Sequence, residues 1–287
     1  MTNDSKQKAT AALTAFFLLT FTFTWFFWIF AVLISLNIIG LGLPAMVPVV
    51  IGAHGPLVAS FWLVYKENGL SGAKKFLRAG FRLRMKPAWW IAILAVPALL
   101  AGVAFWINIS INSFQPETPL LDQPLLIIPM LLFMFFLGGS FQEEFGWRGF
   151  ALPRLLAVQT PFSASLILGI IWGFWHLPLF YIDGLSQSYM NFGFFLPLTI
   201  SFSFIFTWVF IRTDFNLFSA LLLHAALNTS LNVFPPIEPI AGGNQAAFTY
   251  LTFIYLAAAG ILLFAEKRFW FAQHKNEALK RMANLQS

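Results

Sequence analysis

LTAFFLLTFTFTWFFWIFAVLISLNI, residues 13–38, runs without one charged side chain. A helix that crosses the hydrocarbon core of a bilayer needs about 20 predominantly apolar residues, and this stretch exceeds that length. It is too long for the apolar core of a signal peptide and lacks a small-residue cleavage site, so it reads as a retained span. Further stretches of the same character follow at 44–65, 88–112, 125–147, 161–182, 192–211, 216–234 and 247–265. The sequence therefore predicts an all-α, polytopic membrane bundle of about eight transmembrane helices, built as a single integral membrane domain over 1–287.

Composition points the same way. Of 287 residues, 59% are hydrophobic, 18% aromatic and only 10% charged. A soluble domain is about a quarter charged, and this chain would have to hide 36 phenylalanines and 11 tryptophans behind far fewer charges than that. A soluble globular enzyme, a disordered chain and a nucleic-acid binder are excluded on this ground. The absence of cysteine excludes disulfides, cysteine–zinc sites, a cysteine nucleophile and a lipidated cysteine.

The net charge of +6 reports topology rather than an acidic partner. With eight spans, one side holds the N-terminus, residues 66–87, the connection after the fourth span, residues 212–215 and the C-terminal tail. All 17 Lys and Arg fall there, with Arg148 and Arg154 counted at the end of the fourth span. The opposite loops carry Glu117, Asp122, Asp183 and Glu238 and no basic residue. This asymmetry places both termini in the cytoplasm. Within 66–87, the run Gly72–Lys86 interleaves basic residues with Phe76, Leu77, Phe81 and Leu83, the pattern of an interfacial segment on anionic membrane lipid headgroups. Gly169 and Gly173 form a GxxxG pair that permits close helix packing.

An ionisable side chain inside a span costs several kcal/mol on insertion scales and marks a functional candidate. Glu143, Glu144 and Arg148 in the fourth span, His176 in the fifth, and His224 with Asn228 in the seventh stand out. Glu144 and Arg148 are four apart, on one helical face, and able to pair. Glu143 is rotated by about 100° and left without that partner, which suits a general base or acid. His224 and Asn228 are also four apart and share a face. Pro178 is placed to kink the fifth helix and free a carbonyl near His176. Base, imidazoles and amide together supply what hydrolysis of a peptide bond by activated water requires. His54, between Gly52 and Gly55-Pro56, has no partner spacing and reads as bonded to backbone, and His274 sits in the polar tail.

In order along the chain, Glu143-Glu144-Phe-Gly-Trp-Arg148 matches EExxxR, Trp172-Gly-Phe-Trp-His176 approximates FxxxH, and His224-Ala-Ala-Leu-Asn228 matches HxxxN. Over roughly 122–233 the sequence resembles the CPBP family of intramembrane endopeptidases. That family takes in CAAX proteases, bacteriocin-processing enzymes and the type II CAAX prenyl endopeptidases, or Ras-converting enzymes. Position 172 is Trp where the pattern has Phe, an aromatic for an aromatic, which bears on pocket shape rather than chemistry. The resemblance implies that Glu143 activates water, supported by Glu144 and Arg148. His176 helps to orient that water, while His224 and Asn228 stabilise the oxyanion. It also implies a peptide or lipidated protein substrate reaching the site from the cytoplasmic side. The cofactor stays open: family members are described both as metalloproteases and as metal-free. Glu143, His176 and His224 are the residues for a divalent ion such as zinc, although no HExxH occurs.

One geometric condition follows. His176 lies about 22 Å into the fifth helix if that helix begins at Pro161, whereas Glu143 is close to the end of a fourth span drawn to 147. They meet if the fifth helix starts well into the cytoplasm, with Thr160 as its cap, or if the fourth ends later; the first is expected. Other readings are weaker. A rhomboid-type serine protease needs GxSG, but Gly138-Gly139-Ser140 is followed by Phe141, and an aspartyl GxGD is absent. A proton-coupled transporter would show inverted repeats with broken helices, and none is apparent. A non-catalytic scaffold or immunity factor on the same fold is the remaining alternative.

Overall fold

The eight apolar stretches are mainly helical, the second and fourth in more than one piece, in the computed structural model, which describes residues 3–40, 42–112, 117–237 and 243–274. Glu238, Lys275, Lys280 and Arg281 from the charge pattern lie outside them. The helices are α1 (Asn3–Ser35), α2 (Met46–Ala53), α3 (Gly55–Ala79), α4 (Pro87–Asn112), α5 (Pro119–Asp122), α6 (Ile127–Phe136), α7 (Ser140–Glu144), α8 (Leu152–Leu156), α9 (Pro161–Trp175), α10 (Phe192–Arg212), α11 (Leu217–Val233), α12 (Gln245–Ala265) and α13 (Lys267–Phe271). Seven helical segments among the described residues are long and apolar enough to cross a membrane; Leu217–Val233 is the shorter apolar helix. The chain is an all-helical, multi-pass integral membrane protein.

The short helix is the centre of the bundle. Ala220, Leu221 and Ala225 are fully buried and nearly every other side chain of α11 is buried too. A helix covered on nearly every side is a core helix, here with polar side chains buried among its apolar ones. It packs against α4, α6, α7 and α10. The outer helices do the reverse: Leu18, Phe26, Ile128, Leu132, Ile261 and Phe264 point outward, as lipid-facing side chains do. Gly169 and Gly173 are where α9 meets α10 most closely. A Cβ at Gly169 would lie 2.8 Å from Ile200 Cα, and one at Gly173 2.6 Å from a Leu196 methyl. The pair is structural, as small residues at membrane helix contacts are.

Two boundaries differ from the expectation. The fourth apolar segment continues to Leu156, well past 147. It breaks at Leu137–Gly139, resumes as α7, passes through a wide π-helical turn over Phe145–Ala151 and ends as α8. Arg148 and Arg154 are consequently buried side chains, not loop charges. Arg154 is held by Glu67 at 2.6 Å. The second difference is α9, which ends at Trp175. Pro178 does not kink it; a 3₁₀ turn, Leu177–Tyr181, follows. Thr160 does cap α9, accepting from the Ser163 amide, with Pro161 as first helical residue.

These boundaries bring the site together. Glu143 is 13 residues before Leu156 and His176 is 15 residues after Pro161, so both lie about 20 Å from the connection 157–160. The fourth segment ending later than 147 closes the distance, with the fifth helix starting at Pro161 as expected. Residues 70–79 turn away after Gly69 (φ 64°) and place Phe76 inward against Phe61 and Phe145, while Leu77, Phe81 and Leu83 stay exposed.

Candidate active site

Glu143, Glu144, Arg148, His176 and His224 are all buried, and Asn228 is half-buried. Of these, Glu143, His176, His224 and Asn228 line one cavity of about 420 Å³. The four come from α7, the C-terminal end of α9 and α11, elements separated in the chain.

Glu144 and Arg148 pair as their spacing predicts, Nη1 to Oε1 at 2.8 Å, both with no exposed side-chain surface. The same Oε1 lies 2.8 Å from His224 Nδ1. A carboxylate oxygen only accepts, so Nδ1 carries the hydrogen and Nε2 of a neutral ring is left as acceptor. The pair thus reaches the cavity through His224. The Arg148 guanidinium lies between two rings, 4.5 Å from Trp172 and 4.2 Å from Phe206. Planar stacking offsets part of the cost of burying that charge, an arrangement a lysine cannot reproduce.

His176 is the residue after α9. Its amide bonds to the Gly173 carbonyl, which leaves the Trp172 carbonyl free of its helical partner. That carbonyl accepts from His176 Nδ1 at 2.8 Å and holds the imidazole; it is released by the turn at His176 rather than by Pro178. Nε2 is again the acceptor. Asn228 donates from Nδ2 to the Gly138 carbonyl at 2.8 Å and keeps its second N–H.

Glu143 is not without a partner. Trp172 donates its indole N–H to Glu143 Oε2 at 2.6 Å. The Phe-to-Trp difference at 172 therefore touches chemistry as well as shape, because phenylalanine has no donor to offer. Trp172 also stacks on Arg148 and stands edge-on to His224 at 5.8 Å. The only signal for it in the sequence was the departure itself.

Gly139 is a second residue that motif reading passed over. Its φ of 109° is a conformation L side chains rarely adopt. A Cβ there would lie 3.0 Å from Glu143 Oε1, 3.4 Å from His224 Nε2 and 3.6 Å from Asn228 Nδ2. Carboxylate, imidazole and amide thus converge on one point, kept open by the missing side chain. Gln142 and His54 also line the cavity. His54 is bonded through Nδ1 to the Val50 carbonyl at 2.8 Å, the backbone partner expected of it.

The donor set does not gather as a metal site. Among the described residues no three His, Asp or Glu side chains are placed to hold an ion. Glu144 is committed to Arg148 and His224, and Glu143 to Trp172.

Residues 124–230, which contain all three motifs, match the family model described as type II CAAX prenyl endopeptidase Rce1-like. Over 271 residues the chain is 26% identical to CAAX prenyl protease 2 of Methanococcus maripaludis (strain S2), covering 89% of this chain and 94% of that protein. With the three motifs assembled around one buried cavity, the chain is similar to the type II CAAX prenyl endopeptidases across its central residues.

Proposed function

We propose that the protein is a membrane-embedded CAAX-type endopeptidase in which Glu143 activates water. The observation that carries this reading is the convergence of Glu143 Oε1, His224 Nε2 and Asn228 Nδ2 within 3.6 Å of a single point at Gly139, on the wall of the cavity. A peptide carbonyl entering there meets a base and an amide donor at once. Glu143 takes a proton from water as the oxygen attacks the scissile carbonyl carbon. His176 Nε2 accepts the water's other hydrogen and orients it.

The oxyanion that forms is met by the second N–H of Asn228 and by His224. For His224 to donate, it must carry a proton on Nε2 as well as Nδ1. It is then an imidazolium between the oxyanion and the Glu144 carboxylate, with Arg148 beyond, an alternating order of charge. Collapse of the intermediate breaks the C–N bond, and the proton held by Glu143 passes to the leaving amine. This route uses no metal ion.

The substrate in this reading is a prenylated C-terminal CAAX sequence, from which the last three residues are removed. It approaches from the cytoplasmic side, the side that also holds both termini. Support comes from the family match, from the printed name of the archaeal relative and from the one-sided distribution of Lys and Arg.

The test is cleavage by the purified chain of paired CAAX-type peptides, one farnesylated on cysteine and one not. The reading predicts release of the intact C-terminal tripeptide from the farnesylated peptide, at a kcat/KM at least about tenfold above that of its bare partner. Equal cleavage of both would sink the prenyl specificity. Cleavage of neither, by folded protein, would favour a non-catalytic role on the same fold.

A further inference from the structure

Beside the catalytic cavity, α4, α10, α11 and α12 leave a groove of about 390 Å³ between them. Trp89, Ile93, Val96, Pro97 and Leu100 form its wall on α4, the spacing of one helical stripe. Its lining carries no charged side chain. At the Trp89 end the character changes abruptly. A second hollow, of about 540 Å³, is lined by Arg82, Arg84, Lys86 and Arg212, with Asp214 also on its wall. Trp89 lines both spaces, so the groove and the cationic cup adjoin at its ring.

The cup is shaped by the bundle. Asn216, which caps α11, donates from Nδ2 to the Arg84 carbonyl at 3.2 Å and ties the 82–86 loop to the helix ends. Arg212 is additionally paired with Glu266. Counting that pairing and Asp214, the cup keeps an excess of positive charge. Trp89 packs on Trp208 at 5.2 Å where the charged and apolar parts meet, a position suited to the headgroup level of a bilayer.

We propose that cup and groove together bind one anionic phospholipid, its phosphate among Arg82, Arg84, Lys86 and Arg212 and one acyl chain along α4. The dimensions agree. From Trp89 to Leu100 the helix rises about 16 Å, close to half of the ~30 Å hydrocarbon core, which is the reach of a single leaflet's chain. The charge agrees, since basic pockets beside transmembrane helices attract phosphate headgroups. A prenyl chain on cysteine carries no phosphate, so the cationic cup selects a phospholipid over the substrate's own lipid; Phe202 and Leu227 line both the groove and the catalytic cavity. Phe206, which carries Arg148 on its face, is part of the groove. A chain seated there packs behind the Arg148–Glu144–His224 array.

The experiment uses the full chain, delipidated in an uncharged detergent. Native mass spectrometry and thermal unfolding are followed with phosphatidylglycerol, with phosphatidylcholine of the same chains, and with inorganic phosphate. The proposal predicts one retained phosphatidylglycerol and a raised Tm, at least about tenfold weaker retention of phosphatidylcholine, and no shift with phosphate alone. The double variant Arg82→Ala/Lys86→Ala, changing exposed side chains, loses the preference for phosphatidylglycerol. Val96→Trp, a half-exposed position that fills the groove, loses retention of either lipid. Equal retention of the two lipids by wild type would overturn the headgroup site. Full protection by phosphate alone would make the cup a free-anion site instead. Binding of phosphatidylglycerol by both variants as by wild type would place the lipid elsewhere and overturn the proposal.

Discussion

Trp172 shows what one residue decides. Its ring supports Arg148, its carbonyl holds His176 and its N–H meets Glu143. Replacing it with phenylalanine keeps the ring and the carbonyl and removes only the donor. Hydrogen bonds to charged groups contribute about 1.5–3 kcal/mol, so Trp172→Phe should lower kcat by about ten- to a hundredfold. KM should stay near wild type, and steady-state kinetics on the farnesylated peptide would separate the two. A fall confined to KM would mean that Trp172 shapes the pocket only. Arg148 makes a different prediction. Removing one partner of a buried pair leaves an uncompensated charge and costs about 3–5 kcal/mol. Arg148→Met should therefore lower the unfolding midpoint in detergent sharply, and Arg148→Lys should not restore it, because lysine cannot stack between Trp172 and Phe206.

At the scale of elements, the break at Leu137–Gly139 matters most, because it aims α7 into the bundle. Gly139→Ala forces a side chain into φ 109° and puts its Cβ 3.0 Å from Glu143 Oε1. Strain of this kind costs about 1–3 kcal/mol, so the variant should fold with reduced stability and lose most of its activity. Circular dichroism beside the peptide assay checks both; full activity would remove Gly139 from the site. The apolar segments were legible because a bilayer sets their length, and the Glu144–Arg148 pair because helical spacing sets its face. The course of 137–156 was not. A run interrupted by four glycines, two glutamates and two arginines reads as the end of a span unless the partners of those side chains are known. Glu67, His224 and Trp172 supply them from helices far away in sequence. The indole donor at 172 was hidden for the same reason, since aromatic identity does not tell whether an N–H finds an acceptor.

For the whole molecule, the arrangement is a buried core helix, α11, carrying two site residues within a shell of lipid-facing helices. Depth protects the reaction from bulk water and strengthens every electrostatic contact in the cavity. It also makes orientation part of the function. The one-sided distribution of Lys and Arg predicts both termini on the cytoplasmic side, so a reporter fused at either end should be accessible only from that side in sealed vesicles. Protection of one terminus and exposure of the other would contradict the topology. Glu143 as the base, working without a metal ion, is the claim on which the rest depends. The most direct measurement is single-turnover cleavage of the farnesylated peptide by wild type and by Glu143→Gln, each with chelator, without it, and with zinc added back. The account predicts wild-type cleavage unchanged by chelator and a loss of about 10²–10⁴-fold in Glu143→Gln that zinc does not restore. Equal rates for the two proteins, or wild-type activity lost in chelator and regained with zinc, would contradict it.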